Sequence, residues 1–388
     1  MSVPLRSKAD PRIALVHDWL PTVGGGEHVL AELAGMYGRS EIFTLFDFLD
    51  PQERDYVTSG RPLHVSTLNQ LPGVRRYYRY MLLECCRAVE RFDLRGYDAI
   101  ISSSAALAKG VIVGVDQPHI AYIHSPPRYA WDLSHDYLDT IQGTLAGLRR
   151  ALAHRMLHRF RMWDRGTVVS VDRLVANSDF VRRRIARVYG REAVVVHPPV
   201  DVQTFTLSTD TREDRYVTAG RFVPYKNTAT IIEAFAARPA LHLDVIGTGP
   251  QDARLRAMAP PNVTFTGWLP RDEVVRRFQR ARAFVFAAIE DFGIVPVEAQ
   301  ACGTPVIAPS LGGTAETVCD LSDANHAPTG ILYDPGPGAL AAALDRFETA
   351  QDDFDPHIVR AHAETFAAPV FRAAMRDVVD GALAAHGG

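Results

Sequence analysis

Lysine is nearly absent from this chain of 388 residues. Only three of its 42 basic residues are lysines, namely Lys8, Lys109 and Lys226, and all the others are arginines. A bias of this strength reflects genome composition first. A lysine inside a motif therefore indicates a specific role for its ammonium group, because the chain uses arginine wherever any positive charge is sufficient.

A surplus of charge of either sign is also lacking. The 42 basic side chains are balanced by 45 acidic ones, which gives a formal net charge of −3. A nucleic-acid-binding protein normally carries a strong basic surplus that displaces counterions from phosphates. The composition therefore predicts no nucleic-acid partner.

Cysteines and long apolar runs are equally scarce. The four cysteines, of which only Cys85 and Cys86 are adjacent, fit neither a disulfide scaffold nor a zinc site. No apolar run reaches the roughly 18 residues that span a bilayer, and residues 1–12 lack the apolar core of a signal peptide. We therefore expect a cytoplasmic protein that is neither secreted by this route nor integral to a membrane.

Short runs rich in Val and Ile alternate with segments of helical period along the whole chain. This alternation is typical of parallel sheets that are covered by helices. The predicted strands are 13–16, 42–45, 99–102, 120–123, 174–176 and 194–196 in the first half, and 216–219, 243–246, 263–265, 283–286 and 305–308 in the second. The sequence therefore predicts an α/β fold of two tandem, doubly wound, Rossmann-like domains.

The domain boundaries follow from composition. We assign residues 1–200 to an N-terminal domain, residues 201–365 to a C-terminal domain and residues 366–388 to a helix that packs back toward the N-terminal domain. The helical character begins at about residue 357. The proline pair after His197 and the polar stretch 208–214 predict an interdomain linker. We expect the carboxyl ends of both sheets to face a shared central cleft that holds the substrates.

Three consecutive glycines, Gly24 to Gly26, lead from the first predicted strand into a helix. Glycine lets backbone amides approach a ligand closely, and the start of a helix presents unpaired N–H groups to an anion. The spacing is not the G-x-G-x-x-G pattern of dinucleotide-binding proteins, which argues against a dehydrogenase. A flexible turn that binds no ligand is the alternative interpretation.

Two cations, Arg221 and Lys226, follow the first strand of the second half. Arginine offers a planar fork and lysine a compact point charge, and together they suit the oxygens of a diphosphate. A solvated loop with incidental charges is the alternative, which the rarity of lysine weakens.

The densest motif lies between Ala287 and Pro305. It contains Glu290 in a loop and Glu298 in the following helix, with Pro296 in the first helical turn. The two carboxylates are too far apart in sequence to act as a close pair, so we predict different roles for them. Glu290 would contact a sugar and Glu298 a ribose. The alternative is that both are ordinary acids at the start of a helix, where the helix dipole stabilises negative charge.

These motifs resemble those of a family-4 retaining glycosyltransferase of the GT-B fold. Glu290 and Glu298 match the E-x7-E motif of that family, the loop of Arg221 and Lys226 matches its diphosphate-binding loop, and Gly24 to Glu27 match its glycine loop. The resemblance covers nearly the whole chain. It implies sugar transfer from a nucleotide donor with retention at the anomeric carbon, no metal and no cofactor apart from the donor, which is a substrate.

The resemblance also implies a role for each matching residue. The catalytic residues would be His124, Glu290, Arg221 and Lys226. The acceptor side would include Glu27, Arg128 and Trp131. Donor binding would involve Gly25, Gly26, Arg221, Lys226, Asp291, Phe292, Gly293, Ile294, Val295 and Glu298.

The segment H-S-P-P-R-Y-A-W-D, residues 124–132, resembles the branch that builds bacterial O-antigen and exopolysaccharide by mannosyl transfer. This likeness implies GDP-mannose as the donor and a lipid-linked or oligosaccharide acceptor. A UDP-sugar donor such as UDP-glucose stays open, as does a nucleotide-sugar epimerase of the same fold. A purely structural role for His124 is the alternative to a catalytic one.

Residues 148–165 predict a basic amphipathic helix. Its apolar members are spaced by four, four, four and three residues among many arginines, and they are Leu148, Leu152, Met156, Phe160 and Trp163. Such helices lie on anionic lipid, which would place the protein on the inner face of the plasma membrane. A helix that packs on the N-terminal domain with solvated arginines is the alternative.

Overall fold

The structure, a computed structural model, describes residues 11–209 and 211–386. Residues 1–10, which include Lys8 and most of the segment examined for a signal peptide, lie outside the described residues, as do Asp210 of the predicted linker and residues 387–388. The chain forms two compact domains. The first contains the residues up to His197 and those from Phe371 onward, and the second extends from Pro198 to Val370.

The N-terminal domain is built, within the described residues, on a sheet of seven parallel strands in the order β3-β2-β1-β4-β5-β6-β7. The strands are β1 Ile13–His17, β2 Glu41–Thr44, β3 Leu63–Val65, β4 Ala99–Ser104, β5 His119–Ile123, β6 Arg173–Ala176 and β7 Val194–Val195. The helices are α1 Gly25–Met36, α2 Pro51–Thr58, α3 Leu82–Val89, α4 Ser134–Asp139, α5 Ala146–Thr167 and α6 Asp179–Tyr189.

The C-terminal domain repeats this architecture with six described parallel strands in the order β10-β9-β8-β11-β12-β13. They are β8 Tyr216–Ala219, β9 Leu243–Ile246, β10 Val263–Gly267, β11 Phe284–Val285, β12 Val306–Pro309 and β13 Gly330–Tyr333. Its helices are α7 Thr228–Ala236, α8 Asp252–Met258, α9 Arg271–Arg280, α10 Ile294–Ala301, α11 Thr314–Thr317, α12 Ala339–Thr349 and α13 Pro356–Glu364.

The helical segment predicted after residue 357 is two helices. After α13, Ala367 pairs with Val200 in an isolated bridge, and Val200 N–H donates to the Phe366 carbonyl at 2.9 Å. The last helix, α14, then runs from Ala368 to His386. Its buried side chains join the core of the N-terminal domain at helical spacing, and they are Phe371, Met375, Val379 and Ala382.

Both faces of the N-terminal sheet are covered. In β1, Ile13 and Leu15 pack with residues of α1 and α14 on one face, whereas Ala14 and Val16 pack with α3 and α5 on the other. Successive residues of a strand point to opposite faces, so a continuous apolar run is required when both faces are buried. This explains why β1 has no polar residue before His17.

The boundary between the two domains falls at the proline pair, between His197 and Pro198, and the residues that follow it pack in the C-terminal domain. Val200, Val202 and Phe205 are 2%, 9% and 2% exposed and belong to the core of the C-terminal domain. Arg360 of α13 donates to the carbonyls of Val202 and Phe205. Three apolar residues at irregular spacing form no periodic pattern, which is why the sequence did not reveal this packing.

Helix α5 does not present the predicted apolar stripe. Leu157, Phe160 and Asp164 are its buried residues, whereas Leu148 and Leu152 are 68% and 66% exposed. The predicted members Met156 and Trp163 are partly buried against the same cluster as Phe160. The helix therefore packs on the domain through its C-terminal half, while the leucines of its N-terminal half face solvent.

A buried ion pair joins α5 to the turn that follows β4. Lys109 and Asp164 are 1% and 0% exposed, and Lys109 Nζ lies 2.5 Å from Asp164 Oδ1. The ammonium also donates to the Ala106 carbonyl, and Asp164 accepts hydrogen bonds from Trp131 Nε1 at 2.8 Å and from the Tyr189 hydroxyl. Ions that are shielded from water need this many charged and hydrogen-bonding partners, because the burial of an unpaired ion is energetically very unfavourable.

We expect Asp164→Asn to destabilise the N-terminal domain by about 3–5 kcal/mol, because it leaves the Lys109 ammonium buried without a countercharge. Urea unfolding followed by tryptophan fluorescence measures this loss, since three of the four tryptophans lie in that domain. Asp93→Asn is the control, since it removes a solvent-exposed ion pair with Arg95 in the same domain. Equal unfolding midpoints for the two variants would contradict the prediction.

Candidate active site

Residues of three neighbouring strands meet at the carboxyl edge of the N-terminal sheet. His17 is the last residue of β1, Ser103 lies opposite it in β4, and His124 directly follows β5. Loops that follow parallel strands meet at one edge of a sheet, where ligands bind in doubly wound folds. The predicted residue His124 is therefore located where the sequence analysis expected a site.

Ser103 connects the two histidines. Its Oγ lies 3.1 Å from His17 Nδ1 and 2.8 Å from His124 Nε2. The imidazole rings meet edge to face with their centroids 6.4 Å apart. Burial lowers the pKa of His124 to about 4, and the neighbouring His17 acts in the same direction. The His124 imidazole is therefore neutral near pH 7.

The glycine loop brings the start of α1 against these rings. Gly24 is the N-cap, and its N–H donates to Glu27 Oε2 at 3.0 Å. A Cβ atom on Gly26 would lie 3.5 Å from the His17 ring and 3.6 Å from the His124 ring. The first N–H groups of a helix have no partner within it, so Gly25 and Gly26 carry donors beside the histidines.

Glu27 is the acidic member of this cluster. Its Oε1 lies 3.6 Å from His17 Nε2. Burial alone would raise the pKa of Glu27, but the contact with His17 lowers it below its ordinary value. Of the residues predicted for the acceptor side, Glu27 is thus next to the histidines.

The buried carboxylate of Asp18 organises the loop after β4. It accepts four backbone N–H groups at 2.5–2.8 Å, from Ala105, Ala106, Leu107 and Ala108. The loop continues directly into Lys109, so Asp18 connects the histidine cluster to the buried ion pair. This role of Asp18 was not predicted from the sequence, although an acid directly after an apolar strand is a usable signal.

Trp131 and Arg128, the other predicted acceptor-side residues, have partners inside the N-terminal domain. The Trp131 indole N–H is used by Asp164, which leaves only its ring for a substrate. Arg128 Nε lies 3.6 Å from Asp132 Oδ2, and Arg184 approaches the same carboxylate at 3.3 Å.

Two loops meet at the carboxyl edge of the C-terminal sheet. Lys226 ends a short 3₁₀ turn after β8, Glu290 follows β11, and these two strands are neighbours. Lys226 Nζ donates to Glu290 Oε1, a contact between residues 64 positions apart in sequence. The ammonium also lies 5.7 Å from the centroid of the Phe286 ring. Arg221 is exposed in the same loop as Lys226.

The loop that carries Glu290 packs closely against the backbone of Gly313. Gly313 N–H donates to the Glu290 carbonyl at 2.9 Å, and a Cβ on Gly313 would come within 2.2 Å of the Phe292 carbonyl. Gly293, the N-cap of α10, has φ +86°, a conformation that favours glycine. The loop is therefore fixed at positions where a larger residue does not fit.

The remaining predicted donor residues surround the start of α10. Ile294 and Val295 form its first turn and Asp291 precedes Gly293, and all three are partly buried. Phe292 is 3% exposed and packs edge to face on Phe366 in the domain core. Its side chain supports the loop, so a donor contact at this position would use the backbone.

Glu298 has a different partner from Glu290. Burial raises the pKa of Glu298 to about 7, although Arg271, with Nη2 at 3.8 Å from Oε1, acts in the opposite direction. A carboxyl that is partly protonated near pH 7 both donates and accepts hydrogen bonds, which suits a hydroxyl partner. Arg271 was not predicted as the neighbour of Glu298, because it lies 27 residues earlier in the chain, on α9.

The described residues contain neither a cluster of metal ligands nor a membrane-spanning helix. No group of three or more His, Cys, Asp or Glu side chains is arranged to hold a metal ion there. None of the described helices is both long and apolar enough to cross a membrane.

Two family models match consecutive parts of the chain. The model described as Glycosyltransferase Family 4 matches residues 23–204, and the model described as Glycosyl transferases group 1 matches residues 201–362. The two matches therefore cover every described strand except β1, and all the site residues described above except His17 and Asp18.

Curated relatives match parts of the chain. A GDP-mannose-dependent monoacylated alpha-(1-6)-phosphatidylinositol monomannoside mannosyltransferase of Corynebacterium glutamicum is 34% identical over 38% of this chain and 47% of its own length. A D-inositol 3-phosphate glycosyltransferase of Mycolicibacterium gilvum is 30% identical over 52% of this chain and 50% of its own length. The chain thus spans about half the length of these relatives.

Solved structures share the fold at low sequence identity. A sucrose-phosphate synthase from Thermosynechococcus elongatus superposes with a TM-score of 0.72 at 20% identity, covering 96% of this chain and 100% of that one. Anabaena HepE, solved with UDP and glucose, has a TM-score of 0.67 at 18% identity and covers 95% of this chain and 99% of its own. With two parallel α/β domains and two family matches that together extend from residue 23 to residue 362, the chain belongs to the family-4 glycosyltransferases of the GT-B fold.

Proposed function

We propose that this chain transfers a hexose, with mannose from GDP-mannose as the first choice, to a lipid-linked or oligosaccharide acceptor in the synthesis of a bacterial surface polysaccharide. The observation that carries this proposal is the contact of Lys226 with Glu290 beside Arg221. A diphosphate requires cations, and a sugar hydroxyl requires an acceptor such as a carboxylate. Both kinds of group occur together at the carboxyl edge of the C-terminal sheet.

The ion pair of Lys226 and Glu290 supplies the charges of the proposed donor site. Lys226 and Glu290 are both largely buried, with 16% and 19% of their side chains exposed, and each compensates the charge of the other. A bound diphosphate would take Lys226 and Arg221 as partners and free Glu290 to face the sugar. The amides at the start of α10 would add positive potential, so the proposal needs no metal ion.

We propose retention by a front-face displacement. The bond between the anomeric carbon and the diphosphate oxygen breaks, and the bond to the acceptor oxygen forms on the same face. The acceptor proton passes to the departing phosphate oxygen, whose growing charge Arg221 and Lys226 stabilise. Glu290 would stabilise the positive charge on the sugar, and His124 would contact a hydroxyl.

The choice of GDP-mannose rests on the motif at residues 124–132 and on the mannosyltransferase relative from Corynebacterium glutamicum. A UDP-sugar is the second candidate, because HepE, which has the same fold, was solved with UDP and glucose. An epimerase would turn over the donor without any acceptor, whereas a transferase requires one.

We also propose that the outer face of α5 rests on anionic lipid at the inner face of the plasma membrane. This outer face is the exposed set Leu148, Leu152, Arg155, Arg159 and Met162. The only acidic residue of α5 is Asp164, which is buried, so the exposed part of this helix carries positive charge alone. Apolar side chains among arginines are suited to an anionic membrane surface, and a lipid-linked acceptor would be found there.

A panel of GDP- and UDP-sugars tests the donor. We expect GDP-mannose to raise the unfolding temperature most, because ligand binding to the folded state stabilises it by about 2.7 kcal/mol at a hundredfold excess over Kd. Differential scanning fluorimetry measures this shift, with Lys226→Ala as the control that loses it. Larger stabilisation by a UDP-sugar would refute the mannosyl assignment, and stabilisation by no nucleotide sugar would refute the proposed function.

The lysine itself is tested by Lys226→Arg. A guanidinium is larger than the ammonium that contacts Glu290 and Phe286, so it cannot keep both contacts and still bind the diphosphate in the same way. We expect kcat/KM to fall about 10- to 100-fold, the effect of losing a charged hydrogen bond of roughly 1.5–3 kcal/mol. Arg254→Lys, an exposed exchange in the same domain, is the control. Unchanged transfer by Lys226→Arg would mean that the lysine has no special role.

Vesicle co-sedimentation tests the lipid surface. We expect binding to vesicles with 30% phosphatidylserine in low salt and little binding to neutral vesicles, because the arginines require anionic headgroups. Leu148→Glu combined with Leu152→Glu should abolish binding, whereas Val115→Glu, at a site that is 97% exposed on the same domain, should not. Equal binding of both variants would contradict the assignment to α5.

A further inference from the structure

Glu27, His17, Ser103 and His124 form a line of polar contacts, of which the proposed function uses His124 alone. Three contacts connect them, with distances of 3.6 Å from Glu27 to His17, 3.1 Å from His17 to Ser103 and 2.8 Å from Ser103 to His124. All four residues belong to the N-terminal domain. Hydrogen positions follow from the partners of each nitrogen, so this line determines which imidazole nitrogens carry protons.

The line begins at a fixed carboxylate. Glu27 Oε2 accepts the N–H of Gly24 at 3.0 Å, which orients Oε1 toward His17 Nε2. A lone pair on Nε2 would face the negative oxygen and be repelled, whereas an N–H there is attracted. In neutral His17 the proton therefore resides on Nε2, and Nδ1 is an acceptor.

The hydroxyl of Ser103 links the position of the proton on His17 to that of the proton on His124. A serine hydroxyl has one proton to donate and can accept as well. Because His17 Nδ1 is an acceptor, Ser103 donates its proton there. Ser103 Oγ then accepts the N–H of His124 Nε2, and Nδ1 of His124 is left without a proton.

We propose that Glu27, His17 and Ser103 are positioning residues that hold His124 in its Nε2–H tautomer and present its Nδ1 as a hydrogen-bond acceptor for a substrate hydroxyl. The tautomer follows from the contacts of the N-terminal domain alone. Its use toward a sugar or acceptor hydroxyl rests on the proposed transfer function.

The surroundings of His124 support this assignment. Its Nδ1 has no hydrogen-bond partner among the described residues, while its carbonyl is held by Asn177 Nδ2 at 2.9 Å. The charged or titratable groups that act on the ring are His17 and Asp18 from β1 and its loop and Glu27 from α1. Gly26 has no side chain, and a Cβ atom at this position would be in ordinary van der Waals contact with both rings, at 3.5 and 3.6 Å.

The same strands carry a second serine–histidine pair that serves as a matched control. Ser102 Oγ lies 2.9 Å from His119 Nε2, and both residues are fully buried. This pair has the same chemistry and nearly the same distance but lies outside the line from Glu27 to His124. Ser102→Ala therefore removes a comparable hydrogen bond and leaves the contacts from Glu27 to His124 in place.

The tautomer is measured directly by NMR of the full chain labelled with ¹⁵N-histidine, near pH 8, where an ordinary imidazole with a pKa of about 6.5 is uncharged. His124→Gln identifies the signals of His124. We expect a protonated Nε2 and an unprotonated Nδ1 in the wild type, loss of this preference in Ser103→Ala, and the wild-type pattern for His124 in Ser102→Ala. A protonated Nδ1 in the wild type overturns the proposal.

Kinetics test the role of the tautomer separately. We expect Ser103→Ala to lower kcat about fivefold with little change in donor KM, the effect of losing one neutral hydrogen bond. Ser103→Thr, which keeps the hydroxyl, should restore most of the rate, and Ser102→Ala should match the wild type. Equal losses in Ser102→Ala and Ser103→Ala overturn the positioning role. Absence of transfer in the wild type refutes the proposed function instead, while the NMR result still decides the tautomer.

Discussion

The parallel pairing of strands is the constraint on which both candidate sites depend. All strands of a parallel sheet point the same way, so the loops that follow them gather at one edge. In the N-terminal domain this edge joins His17, Ser103 and His124 from β1, β4 and β5. In the C-terminal domain it joins Lys226 and Glu290 from β8 and β11. Neither group of residues is local in sequence.

The two lysines that the structure describes each contact a carboxylate from a distant segment. Lys109 stabilises the N-terminal domain through the fully buried Asp164, and Lys226 lies against Glu290 at the proposed donor site. An ammonium is compact and presents three donors, whereas a guanidinium is planar and wide. In a chain that otherwise uses arginine, the compact cation thus occurs where little space is available. One pair serves stability and the other is proposed to serve ligand binding.

Long apolar strands and glycine-rich loops could be predicted from the sequence, and most strands lie within a residue or two of their expected positions. The short strands β3 and β13 were missed because three or four residues show no period. The apolar set predicted on α5 is divided in the structure, because Met156, Phe160 and Trp163 pack on the domain whereas Leu148 and Leu152 are exposed, and only tertiary packing decides this.

By itself the sequence determined the fold class and the residue types in each loop, because hydrophobic periodicity and the glycine, lysine and glutamate motifs are local properties. Only the tertiary structure decided which residues become partners. The contact of Glu290 with Lys226, the burial that raises the pKa of Glu298 to about 7, and the alignment of His17 with Ser103 and His124 all depend on strand order. Strand order is a property of the assembled sheet, since it arises from contacts between segments that are far apart in the chain.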